Sequence, residues 1–596
     1  MNILGISCFY HDSAACLLSD GKIIAAAQEE RFTRKKHDFN FPSRAASWCL
    51  GAGNISSKDL DYVVFYDKPL IKFERLLETY LSYAPAGIKQ FLQAMPLWLN
   101  QKLWIPEIIR KELNYQGEIL FCGHHESHAA SAFYPSAFKT AAFLTLDGVG
   151  EWETASFGVG QDNHLEIQYS LNFPHSLGLL YSAFTYYAGF EVNSGEYKLM
   201  GLAPYGEPKY KDLILKELVD LKADGSFRMN MRYFGYCHTL EMTNNCFYRL
   251  LGAPPRKPET QISQHYMDVA ASIQAVTEEI MLRMCRHVHT ITGRDKLCLA
   301  GGVALNCVAV GKILRQSPFK EIWVQPASGD AGAALGAALL VWHKYLKHER
   351  FVDGIKDSMQ GALLGPEYKN DQIENFLKEQ NIPFRKLDKL HLPETVSGLI
   401  EQGKVIGWFQ GRMEFGPRAL GSRSIIADAR NPQMQTRLNL KIKFRESFRP
   451  FAPTVLAEEA SNWFDLDRES PFMNLVAQVK AEKRIENKPA SGQIYGFDKL
   501  KLPRSIIPAV THVDNSARVQ TIKKEDNPLY YDLVNEFFKK TGCPVIINTS
   551  FNVRGEPLVC TPQDAWNCFM RTQMDYLVMG NYLLDKQLIG SNGGKN

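Results

Sequence analysis

The chain has 596 residues, of which 45% are hydrophobic and 22% charged, and its formal net charge is +4. This length implies more than one domain, and the composition is that of a globular protein with room for a large core. So small a charge excludes bulk attraction to nucleic acid or a membrane surface, so only a local cluster could recognise either. The twelve cysteines include no Cys-x-x-Cys pair, which excludes a zinc ribbon and favours buried thiols in a reducing compartment.

One pattern of three short apolar strands is predicted twice. The first set lies at 3–9, 14–18 and 22–28. The second set lies at 141–146, 153–160 and 165–171. In each set an aspartate-containing polar turn, at 11–13 or at 147–150, follows the first strand. This is a duplication of architecture rather than of letters, unlike the short fixed repeats of a solenoid.

A long amphipathic helix is predicted over 268–288, and a helix over 331–345 begins just after Asp330. Between them a buried strand runs into Gly301-Gly302, a corner whose backbone N–H groups could meet a phosphate. The chain has no P-loop and no G-x-G-x-x-G after a strand, so nucleotide binding would need another scaffold. The duplicated strands and this corner match the layout of actin, sugar kinases and chaperone ATPases.

A charged, weakly patterned stretch over 344–365 predicts a domain boundary, which gives an α/β protein with domains at 1–355 and 366–590. The second domain is predicted to contain a helix over 371–380 and strands over 405–409 and 545–548. The tail from residue 590 is predicted to be disordered. The first residues resemble no signal peptide and no apolar run is long enough to cross a bilayer, so we expect a cytoplasmic protein without a membrane partner.

Two histidines and two aspartates form a candidate metal site. His124 and His128 are four apart and would share one face of a helix, while Asp147 and Asp330 follow a strand end and a glycine. Two nitrogen and two oxygen ligands suit iron, zinc or manganese. Ala129 stands where a zinc-protease motif needs histidine. The alternative is that the histidines are a solvated helix face or a hydrogen-bonded core pair.

The span 412–449 is rich in arginine and lysine, several of them beside Gly, Pro or aromatic residues. Its cations are Arg412, Arg418, Arg423, Arg430, Arg437, Lys441, Lys443, Arg445 and Arg449. Guanidinium groups held in stiff turns suit bidentate phosphate recognition. A solvated basic face and an RNA-binding surface are the alternatives. Later loops could add polar contacts from Arg518, Asn548, Ser550 and Arg554.

Seven motifs in order resemble the O-carbamoyltransferase family, which includes the nodulation-factor, aminoglycoside, cephamycin and ansamycin carbamoyltransferases. They are FYHDSAA (9–15), EERF (29–32), HHESHA (124–129), YKLMGLAPYG (197–206), GGVALN (301–306), FGPRALG (415–421) and NTSFN (548–552). The resemblance implies a duplicated actin-like ATPase (ASKHA, ribonuclease-H-like) domain followed by a YrdC-like α/β domain.

The resemblance also implies a reaction in two steps. The C-terminal domain would make carbamoyl-adenylate from carbamoyl phosphate and ATP, with Mg²⁺, and the N-terminal domain would pass the carbamoyl group to a hydroxyl of a natural product or sugar. The metal, Fe(II) in the family, would be held by His124, His128, Asp147 and Asp330. The adenylate site would comprise Arg418, Lys443, Arg445 and Arg449, with Lys443 and Arg449 catalytic.

In the N-terminal domain His11 and Asp12 are candidates for general base or acceptor orientation, with turn capping the equal alternative for His11. Candidate nucleotide or carbamoyl contacts there are Gly148, Lys198, Gly301, Gly302 and Asn306. Lys198 could instead close a structural ion pair. Acceptor contacts are expected from 70–112 and 210–262, whose aromatic residues could be a pocket wall or core.

Two other functions share this scaffold. A tRNA threonylcarbamoyl transferase would need RNA, which we do not expect as a partner, and a small-molecule kinase would release ADP rather than AMP. A homodimer is one open alternative for the oligomeric state.

Overall fold

The computed structural model describes residues 1–485 and 495–592, with the side chains of 590–592 excepted. It forms two compact units. The N-terminal unit comprises Met1–Glu29 and His37–Met359, and the C-terminal unit comprises Glu30–Lys36 and the chain from Gln360. No sequence pattern predicted that Glu30–Lys36, near the start of the chain, would belong to the C-terminal unit.

The N-terminal unit contains strands β1–β12 and helices α2–α13. The strands are β1 Asn2–Ser7, β2 Ala14–Ser19, β3 Lys22–Gln28, β4 Tyr62–Phe65, β5 Glu118–Phe121, β6 Thr140–Leu146, β7 Glu153–Gln161, β8 His164–Asn172, β9 Val219–Leu221, β10 Phe227–Met229, β11 Lys296–Ala300 and β12 Glu321–Val324. The helices are α2 Ser43–Ala52, α3 Pro69–Tyr83, α4 Ile88–Leu97, α5 Ile105–Leu113, α6 His124–Phe133, α7 Leu177–Tyr187, α8 Glu196–Leu202, α9 Lys211–Leu213, α10 Asn245–Leu251, α11 Gln264–Thr292, α12 Cys307–Gln316 and α13 Asp330–Leu340.

Two five-stranded sheets in this unit have the same topology. Their orders are β3-β2-β1-β4-β5 and β8-β7-β6-β11-β12. In each sheet the first three strands along the chain are antiparallel and the last two add in parallel. The duplication expected from the sequence is therefore confirmed, and it fits the actin-like ATPase fold. The central strands β1 and β6 are buried over nearly their whole length, which explains their unbroken apolar runs.

Small residues let α13 lie directly against its neighbours. A Cβ at Gly5 of β1 would stand 1.9 Å from the carbonyl oxygen of Ala334, and one at Gly336 would stand 1.8 Å from that of Ser127 in α6. The Ala/Gly-rich sequence of α13 thus allows a close approach that larger side chains would prevent. Its first residue, Asp330, is consequently held beside α6.

The C-terminal unit contains α1, α14–α20 and β13–β21. Its strands are β13 Arg385–Lys386, β14 Ile406–Phe409, β15 Arg423–Asp428, β16 Ala452–Leu456, β17 Leu475–Gln478, β18 Ser516–Ile522, β19 Val545–Ser550, β20 Tyr576–Met579 and β21 Tyr582–Asp585. Its helices are α1 Glu30–Thr33, α14 Asn370–Glu379, α15 Leu392–Glu401, α16 Met434–Lys441, α17 Ala460–Trp463, α18 Pro528–Thr541, α19 Pro562–Arg571 and α20 Lys586–Asn592.

The strands of this unit form one nine-stranded mixed sheet in the order β13-β21-β20-β14-β15-β19-β16-β18-β17. The helix predicted at 371–380 and the strands predicted at 405–409 and 545–548 are confirmed as α14, β14 and β19. Helix α20 covers the start of the tail predicted to be disordered, and residues after 592 lie outside the described part. Within the described residues, no helix is both long enough and apolar enough to span a bilayer.

Candidate functional site

The N-terminal unit brings His124, His128, Asp147 and Asp330 together. Each offers a ligand atom, these atoms all lie within 4.8 Å of one another, and all four residues are buried. The Nε2 atom of His124 is 2.9 Å from Asp147 Oδ2 and 3.2 Å from Nε2 of His128. Residues from α6, from the end of β6 and from the start of α13 thus converge on one point.

The arrangement fits a metal ion. Asp330 Oδ1 lies 3.8 Å from His124 Nε2 and 3.7 Å from His128 Nε2, and it is buried with no hydrogen-bond partner among the described residues. A buried carboxylate oxygen without a partner is costly, and a cation would satisfy it. In both histidines Nε2 is the nitrogen that faces the site. Their Nδ1 atoms are buried and lack hydrogen-bond partners in the described chain. The neighbouring His125 points away, with Nδ1 2.7 Å from Thr145 Oγ1.

Burial and local charges set the protonation of the site. Burial, reinforced by nearby Lys72, lowers the pKa of His124 well below its ordinary value, which keeps the imidazole neutral and able to bind a cation. Burial alone would raise the pKa of Asp147, but hydrogen bonds from His124 and His128 lower it strongly. Burial raises the pKa of Asp330, against the opposing effect of His11.

The glycine corner after β11 supports Asp147. The backbone N–H of Gly302 donates to Asp147 Oδ1 at 3.1 Å. Gly301 has φ of 87°, and a Cβ there would stand 2.2 Å from the carbonyl oxygen of Leu146, so only glycine fits. The carbonyl oxygen of Gly148 accepts a hydrogen bond from Ser176 Oγ at 2.7 Å.

Two other residues predicted to contact nucleotide or carbamoyl groups have structural partners. Asn306 caps α12 by accepting from the N–H of Ala309 at 3.1 Å, and its amide donates to Gln274 at 3.0 Å. Lys198 is half-buried on α8, with its ammonium 5.7 Å from the ring centroid of Phe190. Their ligand roles stay predictions.

His11 and Asp12 form a hydrogen-bonded group with His37. Asp12 Oδ2 lies 3.2 Å from His11 Nδ1, and Asp12 Oδ1 lies 2.8 Å from His37 Nδ1. Asp12 has φ of 53°, a strained conformation for a residue that is not glycine. Burial would lower the pKa of His11, but Asp330 and Asp12 more than offset it and raise this pKa to about 10. A cation bound to Asp330 would reduce that shift, because it would offset the carboxylate charge.

In the C-terminal unit Lys443 holds the loop after β19. Its side chain is buried, and Nζ lies 2.6 Å from Ser550 O, 3.1 Å from Ser550 Oγ, 2.8 Å from Asn552 O and 2.6 Å from Asn552 Oδ1. Burial, together with Arg445, lowers the pKa of Lys443 well below its ordinary value. The three ammonium protons are therefore engaged by this loop.

Two of the other cations expected to contact the nucleotide, Arg449 and Arg554, lie beside Glu446. Arg449 Nη1 lies 3.7 Å from Glu446 Oε2, and Arg554 Nη2 lies 3.9 Å from Glu446 Oε1. Arg445 donates to Asn439 Oδ1 at 2.7 Å, and its guanidinium lies 4.6 Å from the ring centroid of Phe451. Lys443, Arg445 and Arg449 thus lie in one segment of the chain. Arg554 comes from the loop after β19, and its guanidinium lies beside Glu446 of that segment.

Four arginines of the basic span that were not assigned to the expected adenylate site have structural partners. Arg423 is fully buried under Phe409, with its guanidinium donating to backbone carbonyls. Arg430 pairs with Asp428 at 2.7 Å, Arg437 pairs with Asp575 at 2.8 Å, and Arg412 donates to the carbonyl of Leu364 at 2.7 Å. The partners of Arg412 and Arg437 lie far along the chain, where no local pattern reveals them, whereas Asp428 is only two residues from Arg430.

Asn548 and Ser550 lie on β19 beside this loop. The amide of Asn548 donates to Gln520 Oε1 at 2.8 Å and to the carbonyl of Ala419 at 3.2 Å. Its own Oδ1 is buried without a hydrogen-bond partner in the described residues. Ser550 Oγ donates to Asn552 Oδ1 at 2.7 Å. Arg518 lies half-buried on β18 opposite Val476.

The segment 30–36 was missed as a contributor to the C-terminal unit. Arg31 is buried and donates to the carbonyl of Gly416 at 2.7 Å, immediately before Pro417 and the half-buried Arg418. Arg34 donates to the carbonyls of Leu558 and Pro557. The motif EERF marked the place in the sequence, but it carried no sign of which unit it would join.

The aromatic residues of 70–112 and 210–262 that could be either a pocket wall or core differ in burial. Tyr80, Trp98 and Phe234 are buried, and Tyr83 stacks on His238 with ring centroids 4.8 Å apart. Trp104 is 53% exposed.

Each of the two units contains a buried group of polar side chains, around His124 in the N-terminal unit and around Lys443 in the C-terminal unit. The model of the carbamoyltransferase N-terminus matches residues 2–339, and that of the carbamoyltransferase C-terminus matches residues 397–586. The chain belongs to the carbamoyltransferase family, as its resemblance predicted, and it is a carbamoyltransferase.

The chain is also similar to curated proteins over nearly its whole length. The uncharacterized protein sll1178 of Synechocystis sp. is 58% identical over 98% of this chain and 97% of its own length. The nodulation protein NolNO of Sinorhizobium fredii is 36% identical over 97% of this chain and 79% of its own.

Solved structures are only distantly similar. The phosphate- and nucleotide-bound full-length HypF has a TM-score of 0.30 and 13% identity, covering 58% of this chain and 56% of that one. The ROK hexokinase from Thermus thermophilus has a TM-score of 0.26 and 12% identity, covering 57% of this chain and 98% of that one. The strand order of the two N-terminal sheets is therefore the observation that supports an actin-like ATPase fold.

Proposed function

We propose that the protein is an O-carbamoyltransferase that activates and transfers a carbamoyl group in two separate sites. In the C-terminal unit, water would cleave carbamoyl phosphate to carbamate and phosphate, and a carbamate oxygen would attack the α-phosphorus of ATP to form carbamoyl-adenylate and release pyrophosphate. The N-terminal unit would pass the carbamoyl group to a hydroxyl of a small-molecule natural product or sugar, releasing AMP. The convergence of His124, His128, Asp147 and Asp330 is the single observation that supports this proposal most strongly.

In the N-terminal unit those four residues would hold a divalent metal, with Fe(II) the ion that the family resemblance suggests. When bound, the metal would polarise the carbamoyl carbonyl or lower the pKa of the acceptor hydroxyl. The Asp12 carboxylate, held between His11 and His37, would orient His11 beside the acceptor. The contact between His11 Nδ1 and the Asp12 carboxylate favours a ring that holds a proton and donates a hydrogen bond over a ring that removes one.

In the C-terminal unit Arg418, Arg445, Arg449 and Arg554 would offset the repulsion between two polyanionic substrates. Lys443 would act by position: its ammonium holds the backbone at Ser550 and Asn552, so those loop groups can meet the nucleotide. Arg31 supports the loop that carries Arg418 in the same way. The YrdC-like assignment of this unit is part of the proposal.

The direct test is release of pyrophosphate from ATP that depends on carbamoyl phosphate, followed by phosphorus NMR with the metal-loaded protein. We expect pyrophosphate, phosphate and AMP in equal amounts once an acceptor is present. Acetyl phosphate, which lacks the amide, is the control and should give none. Formation of ADP would instead identify a kinase, and dependence on added tRNA would identify a threonylcarbamoyl transferase.

A further inference from the structure

A second group of charged side chains lies beside the metal tetrad in the N-terminal unit. The hydroxyl of Tyr66 donates to Asp330 Oδ2 at 3.3 Å. The Lys72 ammonium lies 5.3 Å from the ring centroid of Tyr66 and 4.1 Å from that of Tyr10. The Lys102 ammonium lies 4.0 Å from the same Tyr10 centroid. These contacts run without a gap from Asp330 to Lys102.

The cations of this group outnumber the acids available to them. Lys72 is paired with Asp67 at 2.5 Å. Arg75 is 7% exposed, its Nη1 is buried, and its guanidinium forms no hydrogen bond or ion pair within the described residues, lying instead 5.1 Å from the ring centroid of Phe173. In the described chain Lys102 likewise has no carboxylate partner.

A further acid near these cations already accepts hydrogen bonds from backbone groups. Glu151 accepts hydrogen bonds from the backbone N–H groups of Lys68 at 2.7 Å and His124 at 3.0 Å, at the start of α6. Its charge therefore stabilises the N-terminus of that helix. Arg75 and Lys102 are therefore left without a carboxylate in direct contact among the described residues, although Glu151 and Asp67 act on them at longer range.

Withdrawing unpaired charges from water costs several kcal/mol each, so a protein rarely retains them without a use. Burial, strengthened by repulsion from Lys72, lowers the pKa of Lys102 to about 8. Burial also lowers the pKa of Arg75. Lys72 and Lys102 line one small cavity together with Tyr10, Asp67 and Trp98. A ligand that supplied an anionic group here would remove the electrostatic penalty.

We propose that Arg75 and Lys102 bind an anionic group of the acceptor, so that the acceptor is a hydroxyl compound that also carries a carboxylate or a phosphate. That the bound molecule is the carbamoyl acceptor rests on the proposed function. That it carries an anionic group rests on the charges around Arg75 and Lys102. Both residues lie in 70–112, one of the two stretches from which acceptor contacts were expected. The tetrad would then stand at the hydroxyl end of the bound molecule and the two cations at its acidic end.

Site-specific labelling of the full-length protein tests the proposal without turnover. Trace acetic anhydride at pH 8 is added with glycerol 3-phosphate or with glycerol, and acetylation of Lys102 is measured by peptide mass spectrometry. Glycerol 3-phosphate above its dissociation constant should lower Lys102 labelling by about threefold or more, whereas glycerol should not. The exposed Lys89 is the internal control and should label equally in both samples.

The Arg75→Met variant should lose this protection, and Arg75→Lys, which keeps the charge, should retain part of it. Equal labelling of Lys102 with either compound would overturn the inference, as would full protection in a folded Arg75→Met protein. The pyrophosphate assay on the same preparation separates the two proposals. Protection without pyrophosphate release would leave the anion site standing and the proposed function wrong, and release without protection would do the reverse.

Discussion

The Nε2 atoms of His124 and His128 lie 3.2 Å apart, and both face the Oδ2 atom of Asp147. The spacing of four residues on α6 puts the two imidazoles on one side of the helix, and burial keeps the ring of His124 neutral. Two ring nitrogens and two carboxylates directed at one point are suited to a cation.

His128→Ala should lower the rate of carbamoyl transfer by about 100-fold or more. The rate of pyrophosphate release should stay near that of wild type, because the side chain removed lies in the N-terminal unit. Arg449→Ala is the matched opposite: it should slow pyrophosphate release by about 100-fold, since it removes a charge from the adenylate site. If His128→Ala reduced both rates equally, the separation of the two half-reactions would be wrong.

Metal loading should stabilise the N-terminal unit. Binding of Fe(II) or Mn(II) to the tetrad should add about 2.7 kcal/mol to the free energy of unfolding at a metal concentration roughly 100 times Kd. Differential scanning calorimetry under anaerobic conditions, with and without a chelator, measures this change. Asp330→Asn, which retains the size of the side chain but not its charge, should lose most of the effect. An unchanged metal-dependent shift in Asp330→Asn would remove this aspartate from the site.

Arg31→Ala should slow pyrophosphate release by about 10-fold, although the residue lies near the start of the chain, because Arg31 holds the carbonyl of Gly416 beside the loop of Arg418. If the effect is mainly an increase in KM for ATP, it would indicate that Arg418 is misplaced rather than that the protein fails to fold. Arg44→Ala, an exposed arginine of α2 in the N-terminal unit, is the control and should keep the wild-type rate. Equal effects from the two variants would contradict the role of the 30–36 segment.

Lys102→Met should change stability in a way that depends on pH. The pKa of Lys102 is about 8 in the folded chain, against an ordinary value of 10.5, so the folded state disfavours its charged form. This penalty is fully present below pH 8 and disappears as pH rises to about 10.5, where both states are neutral. The variant should therefore unfold at a higher urea concentration than wild type at pH 7, with the difference fading towards pH 10.

Urea denaturation at pH 7, 8.5 and 10 measures this difference, with the exposed Lys89→Met as the matched control. That control should show a small and constant difference, since its side chain is in water in both states. A Lys102→Met difference that grew with pH would show that the sign of the interaction is reversed.

The duplicated strands, the long helix α11 and the positions of β14 and β19 were predictable from local patterns, because apolar periodicity records which face of an element is buried. His124 and His128 were predictable for the same reason, since residues four apart share a helix face. Asp147 and Asp330 could be recognised as costly to bury, but their meeting depends on the close packing of α13 against α6 through Gly336.

The sequence by itself determined the repeated α/β architecture, the metal-type residues and the family, because each of these is written in short-range patterns and ordered motifs. Only the tertiary structure decided that residues 30–36 join the C-terminal unit, that Arg423 and Arg437 have internal partners, and that Arg75 and Lys102 have no carboxylate in direct contact among the described residues. The physical reason is that a charge is satisfied by whatever group lies within a few ångströms in space, and those groups are far away along the chain.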